Sequence, residues 1–373
     1  MAGINLASKY SKKIDERWYK ESQVAPALNN DYEFNGVDTV KIYSIPVVPM
    51  TDYQRSGGSR YGAPNDLARN VQTMIVKKDR SFTFVIDRGD KIQSMMVSDA
   101  GKALSRQLRE VVVPEFDTYV FKTLAAAATD RGATNNTSIT KSNAYEMFLK
   151  GMEWLGNRNV PDKGRICYAS YGFANLLKQD PAFMKDGDKS QGMVINGEIG
   201  TVDGCKIVRV AANRLPAGAA FLLVHPSAGT APKQLNDYKI HDNPPGINGW
   251  LVEGRVIYDC FTLNEKADGI YYHGSQAVLK DLIVGTAATD IGKSTILVTA
   301  EKEGAKRYYQ TAANVGALTT VTHGTAITAS AWTELTGASL EITPAEGHKF
   351  VRVVEVDGSN KPLAVGTNVL NIG

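Results

Sequence analysis

The sequence predicts an α+β chain that ends in a small all-β domain. Three features predict it: a long helix-period run over residues 98–129, alternating strand and helix signals from 143 to 275, and short β runs between turns after residue 276. At 373 residues the chain is long enough for two domains, or for one large domain with an appendage.

Residues 8–21 place Ile14 and Trp18 four apart among Lys and Glu, a short amphipathic helix with a narrow apolar stripe. Residues 22–36 carry Pro26, Asn29, Asn30 and Asn35 and read as an extended arm. Two readings stand for this end: a helix packed on its own domain, or an arm docked on another subunit.

Residues 37–48 are β-rich (Val40, Ile42, Ile45, Val47), interrupted by Pro46 and closed by Pro49. A polar, glycine-rich stretch fills 51–65, and two strand-like runs follow at 71–76 and 81–86, joined by Lys77, Lys78, Asp79 and Arg80. Together they predict a long hairpin-like excursion with little to bury. Long structureless loops inside compact domains are usually functional, and a lone two-stranded hairpin is marginal in water. Another molecule is expected to cover it.

Between 98 and 129, Leu104, Leu108, Val111, Val112, Phe116, Tyr119, Val120, Phe121, Leu124 and Ala127 recur mostly at three- and four-residue steps. Ser98 and Asp99 supply the N-cap, and Pro114 should kink or split the helix. A polar link over 130–142 leads to a helix at 143–155. Strands are expected at 165–169, 205–210, 220–225, 250–263 and 269–273, with a helix at 172–178. Residues 226–249, with Pro244, Pro245 and Gly246, read as a long loop holding one short strand at 238–241. The β runs of the last part are 296–299, 307–311, 319–321, 339–343, 350–356 and 363–365, spaced as in a small sandwich or barrel, with a boundary near 280.

Chemistry is sparse. Lys and Arg number 42 against 39 Asp and Glu, so net charge is +3, too even for a protein dedicated to neutralising nucleic-acid phosphates. Cys167, Cys205 and Cys260 are far apart and form no CxxC, which fits a reducing compartment. No secretory signal or membrane span is expected. The Gly292-Lys293-Ser294-Thr295 tetrad ends like a phosphate loop, but Ala287 stands where glycine is needed and a strand pattern follows. Asp186, Asp188 and Ser190 begin like a calcium loop, but Gln191 and Gly197 occupy its glycine and glutamate positions. His225, His241, His273, His323 and His348 show no metal spacing. No catalytic residue, cofactor site or metal site is expected.

The order of elements, with three stretches, carries a resemblance. Residues 79–90 (DRSFTFVIDRGD), 110–119 (EVVVPEFDTY) and 214–225 (RLPAGAAFLLVH), the last followed by 249–259 (GWLVEGRVIYD), resemble the major capsid proteins of tailed bacteriophages, which share the Hong Kong 97-type fold. The resemblance covers about residues 1–275. It implies an N-terminal arm at 1–36, an extended-loop region at 37–90 whose loop (51–90) overlies a neighbour, and a peripheral domain at 91–142 with its spine helix at 98–129. An axial and peripheral body at 143–279 and an accessory β domain at 280–373 complete it. Residues 226–249 would lie near the capsomer centre.

The implied function is self-assembly of a non-enzymatic shell protein, through hexamers and pentamers, into an icosahedral virion head assembled in the host cytoplasm. The implied partners are further copies, a separate scaffolding protein, the portal, non-specifically bound double-stranded DNA and a decoration protein, with no membrane. Assembly contacts are expected at Trp18, Tyr53, Arg55, Gly57, Gly58, Arg60, Tyr61, Lys77, Lys78 and Arg80. Some members join an extended-loop lysine to an asparagine; Lys77 and Lys78 lie near that loop, but nothing marks the partner asparagine or a glutamate. The alternatives are an encapsulin-like compartment shell around a protein cargo, and an unrelated soluble enzyme with a β-sandwich binding module.

Overall fold

The structure is a computed structural model that describes residues 22–29, 31–32, 39–45, 47–58, 60–62, 70–89, 100–184, 200–290, 292–299 and 304–372. Its contacts fall into two compact units, the described parts of Met1–Val120 with His225–Ala267, and Phe121–Val224 with Asp268–Gly373. The helix expected at 8–21, Trp18 and the Asp186 loop lie outside the described residues.

In the first unit, Gly249–Tyr258 is the central strand of a three-stranded antiparallel sheet between Lys78–Asp87 and Lys233–Asp242. Alternation sets its two faces: Val252 and Val256 are buried, Glu253 and Arg255 exposed. Tyr258 packs edge-on against Phe116 and Tyr119, at ring centroids 5.3 Å and 5.7 Å away. The expected long loop at 226–249 is instead a 3₁₀ turn Pro226–Ala228, a short strand Gly229–Thr230 and the ten-residue strand Lys233–Asp242, with residues 243–248 turning back. Prolines at 244 and 245 placed the break correctly, and the short strand expected at 238–241 is the second half of a longer one.

The expected pairing of 71–76 with 81–86 is also corrected. Asn70–Ile75 pairs with Thr39–Ser44, Ile75 opposite Thr39 and Asn70 opposite Ser44, while Lys78–Asp87 joins the sheet above. Two residues, Val76 and Lys77, would suffice for a hairpin turn, but the Lys77 amide donates to Asp259 and the chain runs on into the second sheet.

The long helix runs as Ala100–Gln107, a π turn Leu108–Val112 and Val113–Asp130. The kink or split expected at Pro114 takes the form of this π turn. Val113 donates to the carbonyl of Leu108, five residues back, so the widened turn falls just ahead of the proline. That turn absorbs the missing donor and relieves the ring's clash with the preceding turn.

In the second unit, six strands run in the order Thr134–Asn135, Ile270–Gly274, Ala219–Val224, Ile166–Ser170, Cys205–Val210, Thr201–Val202. Helix Ala144–Asn157 lies on this sheet so closely that a Cβ at Gly151 would come within 2.6 Å of Leu223 and 2.9 Å of Tyr271. Ser170 caps helix Tyr171–Gln179 by accepting from the Phe173 amide. Phe121, Phe148, Tyr168, Phe221 and Tyr272 fill the core.

Two further sheets of this unit share a core. One has five strands (Lys280–Asp281, Pro362–Val369, Phe350–Val356, Lys306–Ala312, Thr333–Glu334), the other three (Ile283–Asp290, Lys293–Thr299, Ser339–Ile342). Val284, Ile296, Val298, Leu335, Ile342, Val351 and Val353 meet between them, which makes this a small β-sandwich. Asn368 Nδ2 donates to the Val284 carbonyl and Thr286 Oγ1 to that of Val369, both at 2.7 Å, so one pair of sheet edges is joined. The strand expected at 319–321 is absent: Val321 instead packs from a loop beside Trp332. Strand Ile283–Asp290, rich in Gly, Ala and Thr, was not expected. At the start of the sandwich, Lys280 pairs with Asp130 at 2.6 Å, Lys122 pairs with Asp281, and Val278 N–H donates to Thr129 Oγ1.

Candidate assembly surface

Strands Thr39–Ser44 and Asn70–Ile75 form the root of a ribbon, whose outer part is described at residues 45, 47–58 and 60–62. One face of the root is covered by its own unit: Met74 is buried with Leu263, flanked by Val40, Ile42, Val76 and Phe261. The Gln72 amide fastens that face, Nε2 donating to the Thr262 carbonyl at 2.8 Å and Oε1 accepting from the Asn264 amide at 3.0 Å. Tyr43, Val71 and Ile75 point the other way and are exposed. The ribbon is therefore sheltered by its parent at the root, on one face.

Beyond Ser44 shelter ends. Among the described residues the most exposed large apolar side chains are Met50 (99%), Val47 (93%) and Tyr61 (86%), all in this loop. Three large apolar side chains left this exposed within one loop make it the candidate contact surface. The tip is nevertheless ordered internally. Tyr53 and Tyr61 stack edge-on at 5.1 Å, Gln54 N–H donates to the Arg60 carbonyl at 2.9 Å, and Arg60 Nε donates to the Gly57 carbonyl at 3.3 Å. Gly57, at φ +96°, supplies the left-handed turn.

Of the residues expected at assembly contacts, the structure brings Tyr53, Arg55, Gly57, Gly58, Arg60 and Tyr61 together at the tip, all but Tyr61 flanking one turn. Lys77, Lys78 and Arg80 lie elsewhere, engaged with their own unit. The Lys77 amide donates to Asp259 at 2.9 Å, Lys78 Nζ sits 5.0 Å from the centre of the Tyr119 ring, and Arg80 Nε bonds Glu115 at 2.7 Å. The Arg80–Glu115 pair is exposed enough for water to weaken it to about 1 kcal/mol or less.

Asp259 was not anticipated from the sequence. It is buried and accepts from Tyr119 Oη at 2.6 Å, from the Cys260 amide at 2.7 Å and from the Lys77 amide, locking the inner end of the ribbon to the helix and the central strand. Burial pushes its carboxyl above the usual range, against the pull of those three hydrogen bonds. Burial also raises the neighbouring Tyr258 and Cys260. The apolar tip residues Val47 and Met50 were missed as well, although the signal was there: Ile45-Pro46-Val47-Val48-Pro49-Met50 is an apolar run in which two prolines forbid core-strand pairing.

Ordinary site chemistry is thin. Among the described residues no three His, Cys, Asp or Glu side chains come together as metal ligands. Lys293–Thr299 is a strand, so the phosphate-loop tetrad has no helix behind it. His225, His241, His273 and His348 each have a separate partner: Ser227, Glu253, Thr137 and Thr311. No helix among the described residues is long and apolar enough to cross a membrane.

A long helix, a two-stranded ribbon and a mixed six-stranded sheet define an α+β fold. No protein-family model and no curated protein matches the sequence. Solved structures do. A chain from Mycobacterium phage Che8 aligns at TM-score 0.61 and 18% identity, covering 74% of this chain and 99% of that one. The capsid structure of the cyanophage P-SCSP1u aligns at 0.58 and 12%, covering 72% and 92%. The mature capsid of bacteriophage PhiM1 aligns at 0.57 and 13%, covering 72% and 91%. The chain has the fold of phage capsid subunits, as its resemblance to tailed-phage capsid proteins implied.

Proposed function

We propose that this protein is the major capsid protein of a tailed bacteriophage, a structural subunit that self-assembles into the icosahedral head around double-stranded DNA. One observation carries the reading: on a capsid fold, the apolar tip at Val47, Met50 and Tyr61 has no cover among the described residues of its own subunit. A second copy is the cover that the fold supports. Tip, arm and helix each give a modest contact, and a subunit held at several points gains affinity through effective concentration. Contacts between unlike patches close into rings, here the hexamers and pentamers of a shell.

DNA inside would be met non-specifically, as the net charge of +3 suits. A separate scaffolding protein, a portal and a decoration protein are the further partners of this reading, with the virion as location and the host cytoplasm as the place of assembly. The arm, ribbon, spine, body and accessory-domain roles of residues 1–36, 37–90, 91–142, 143–279 and 280–373 belong to the same proposal. About a quarter of this chain lies outside the match to the Che8 chain, and the sandwich is about that size. The compartment-shell and enzyme alternatives gain no support from the matched structures.

Electron microscopy of the purified protein, with and without a co-expressed scaffold candidate, tests the proposal. Closed shells of uniform size are expected. A monomer that forms no particles under either condition would overturn it.

A further inference from the structure

His273, in strand Ile270–Gly274, is 1% exposed, and its ring stacks on Phe221 at 5.1 Å. Its Nε2 stands 2.8 Å from the Thr137 carbonyl. A carbonyl oxygen only accepts, which assigns the proton of the neutral ring to Nε2 and leaves Nδ1 a bare lone pair. Nδ1 is buried and has no partner among the described residues. We propose that residues 131–142 are a flap on the edge of the six-stranded sheet, and that a proton taken up at His273 Nδ1 opens it. The inference stands apart from the self-assembly reading above.

The surroundings of the ring do not welcome an imidazolium. Protonation would give Nδ1 an N–H aimed at no acceptor, and a buried charged donor without a partner is costly. Strand Ala219–Val224 brings Phe221 to the ring, and its own strand brings Tyr271, which packs on the same phenyl at 6.2 Å. Helix Ala144–Asn157 brings Lys150, a like charge, whose carboxylate partner Glu146 lies 2.8 Å from it on the helix. The flap brings Asn135 and the Thr137 carbonyl, neither of them an anion. Burial first, then Lys150, accordingly lowers His273 from its ordinary 6.5 against the Thr137 bond.

The flap itself is lightly held. Its strand is only Thr134–Asn135, parallel to Tyr272 and His273, with Tyr272 N–H donating to the Ala133 carbonyl at 2.9 Å. Among the described residues, the His273 bond is the one hydrogen bond that ties residues 136–142 to the sheet. The others run within the flap and the start of the next helix: Asn135 Oδ1 accepts from Thr137 N–H, and Asn143 Oδ1 from Thr140 N–H. Asn136, Thr137, Ser138, Thr140, Lys141 and Ser142 are exposed, so opening uncovers little apolar surface and is far easier than unfolding. An open flap bares the backbone edge of strand Ile270–Gly274, a template for another strand.

An imidazole held low in the closed form and ordinary in the open one favours opening as pH falls. The opening constant should rise on the order of tenfold for each pH unit below 6.5, until the closed form's own value is reached. Hydrogen exchange of the full-length chain tests this, followed peptide by peptide from pH 7.5 to 5 and corrected for the intrinsic pH dependence of exchange. Peptides carrying Thr137 and Tyr272 should lose protection by that factor, while Val353 in the sandwich keeps its own. His273→Gln, whose amide can still donate to Thr137 but does not titrate, should remove the response. Lys150→Glu, a change on an exposed helix face, sets a carboxylate near the ring and should shrink the response several-fold; it serves if the Gln variant does not fold. Protection independent of pH in the wild type, an unchanged response in either folded variant, or an equal loss at Val353 overturns the proposal.

Discussion

Two β regions of this chain treat their apolar side chains in opposite ways. The sandwich turns Ile296, Val351 and Val353 into a common core and ties one edge pair with Asn368 and Thr286. The ribbon covers Met74 and Ile42 at its root, then leaves Val47, Met50 and Tyr61 in water. Exposed strands and loops of that kind are an aggregation hazard in a monomer. Their presence makes sense when the sheltering surface is built only on assembly. The contrast teaches where stability and association are separately encoded: substitutions in the sandwich should change folding, and substitutions at the tip should change assembly.

The strongest way to break that contrast is to delete residues 56–64. The variant should keep its far-UV circular dichroism and melting curve, yet form no shells by electron microscopy. Normal shells from it would mean the tip does not drive assembly. Ile296→Ala, in the sandwich core, should cost about 2–5 kcal/mol in denaturant unfolding, because a fully buried side chain leaves a cavity. A cost below that range would show the sandwich core to be loosely packed.

The third prediction places acid sensitivity outside both regions. His273 is buried against Phe221, with Nε2 2.8 Å from the Thr137 carbonyl, and burial, helped by Lys150, lowers it from its ordinary 6.5 against that hydrogen bond. A histidine lowered on folding binds fewer protons than its unfolded counterpart, so stability falls as pH drops below 6.5 toward the folded value. His273→Gln should flatten this acid limb of the melting-temperature profile. An unchanged limb would assign it to other groups. The smallest effect is expected for Met50→Ser with Tyr61→Ser: a stability change within about 0.5 kcal/mol, as for exposed sites, but slower assembly by light scattering.

How much of this was legible in the sequence depended on whether the signal was local. The helix from residue 100 to 130 was readable because its apolar spacing is its own; the π turn was not, since it is settled by how Pro114 is accommodated. Phe350–Val356 was readable as a strand from its four valines, Val351, Val353, Val354 and Val356. Strand Ile283–Asp290 was not, because Gly285, Ala287 and Ala288 have little β preference and are held by neighbours. At the tip, Gly57, Gly58 and the two tyrosines marked a turn, while the roles of Asp259 and Gln72 depend on partners more than a hundred residues away. Strand pairing failed for the same reason: Asn70–Ile75 and Lys78–Asp87 are adjacent in the chain, yet each takes a distant partner.

The π turn at Leu108–Val112 has a rotational consequence. A π turn takes up one more residue than an α turn over about the same rotation, so the helix after it keeps its facing while the sequence pattern slips by one position. Phe116 and Val120 present inward beyond it, while Val111, within the turn, faces solvent. A one-residue deletion inside the turn should therefore leave an unbroken α-helix with the later face still toward Tyr258 and Asp259, whereas the same deletion just after Pro114 would rotate every later side chain by about 100°. The widened turn is thus the one place along this helix where the chain can gain or lose a residue without turning its far half.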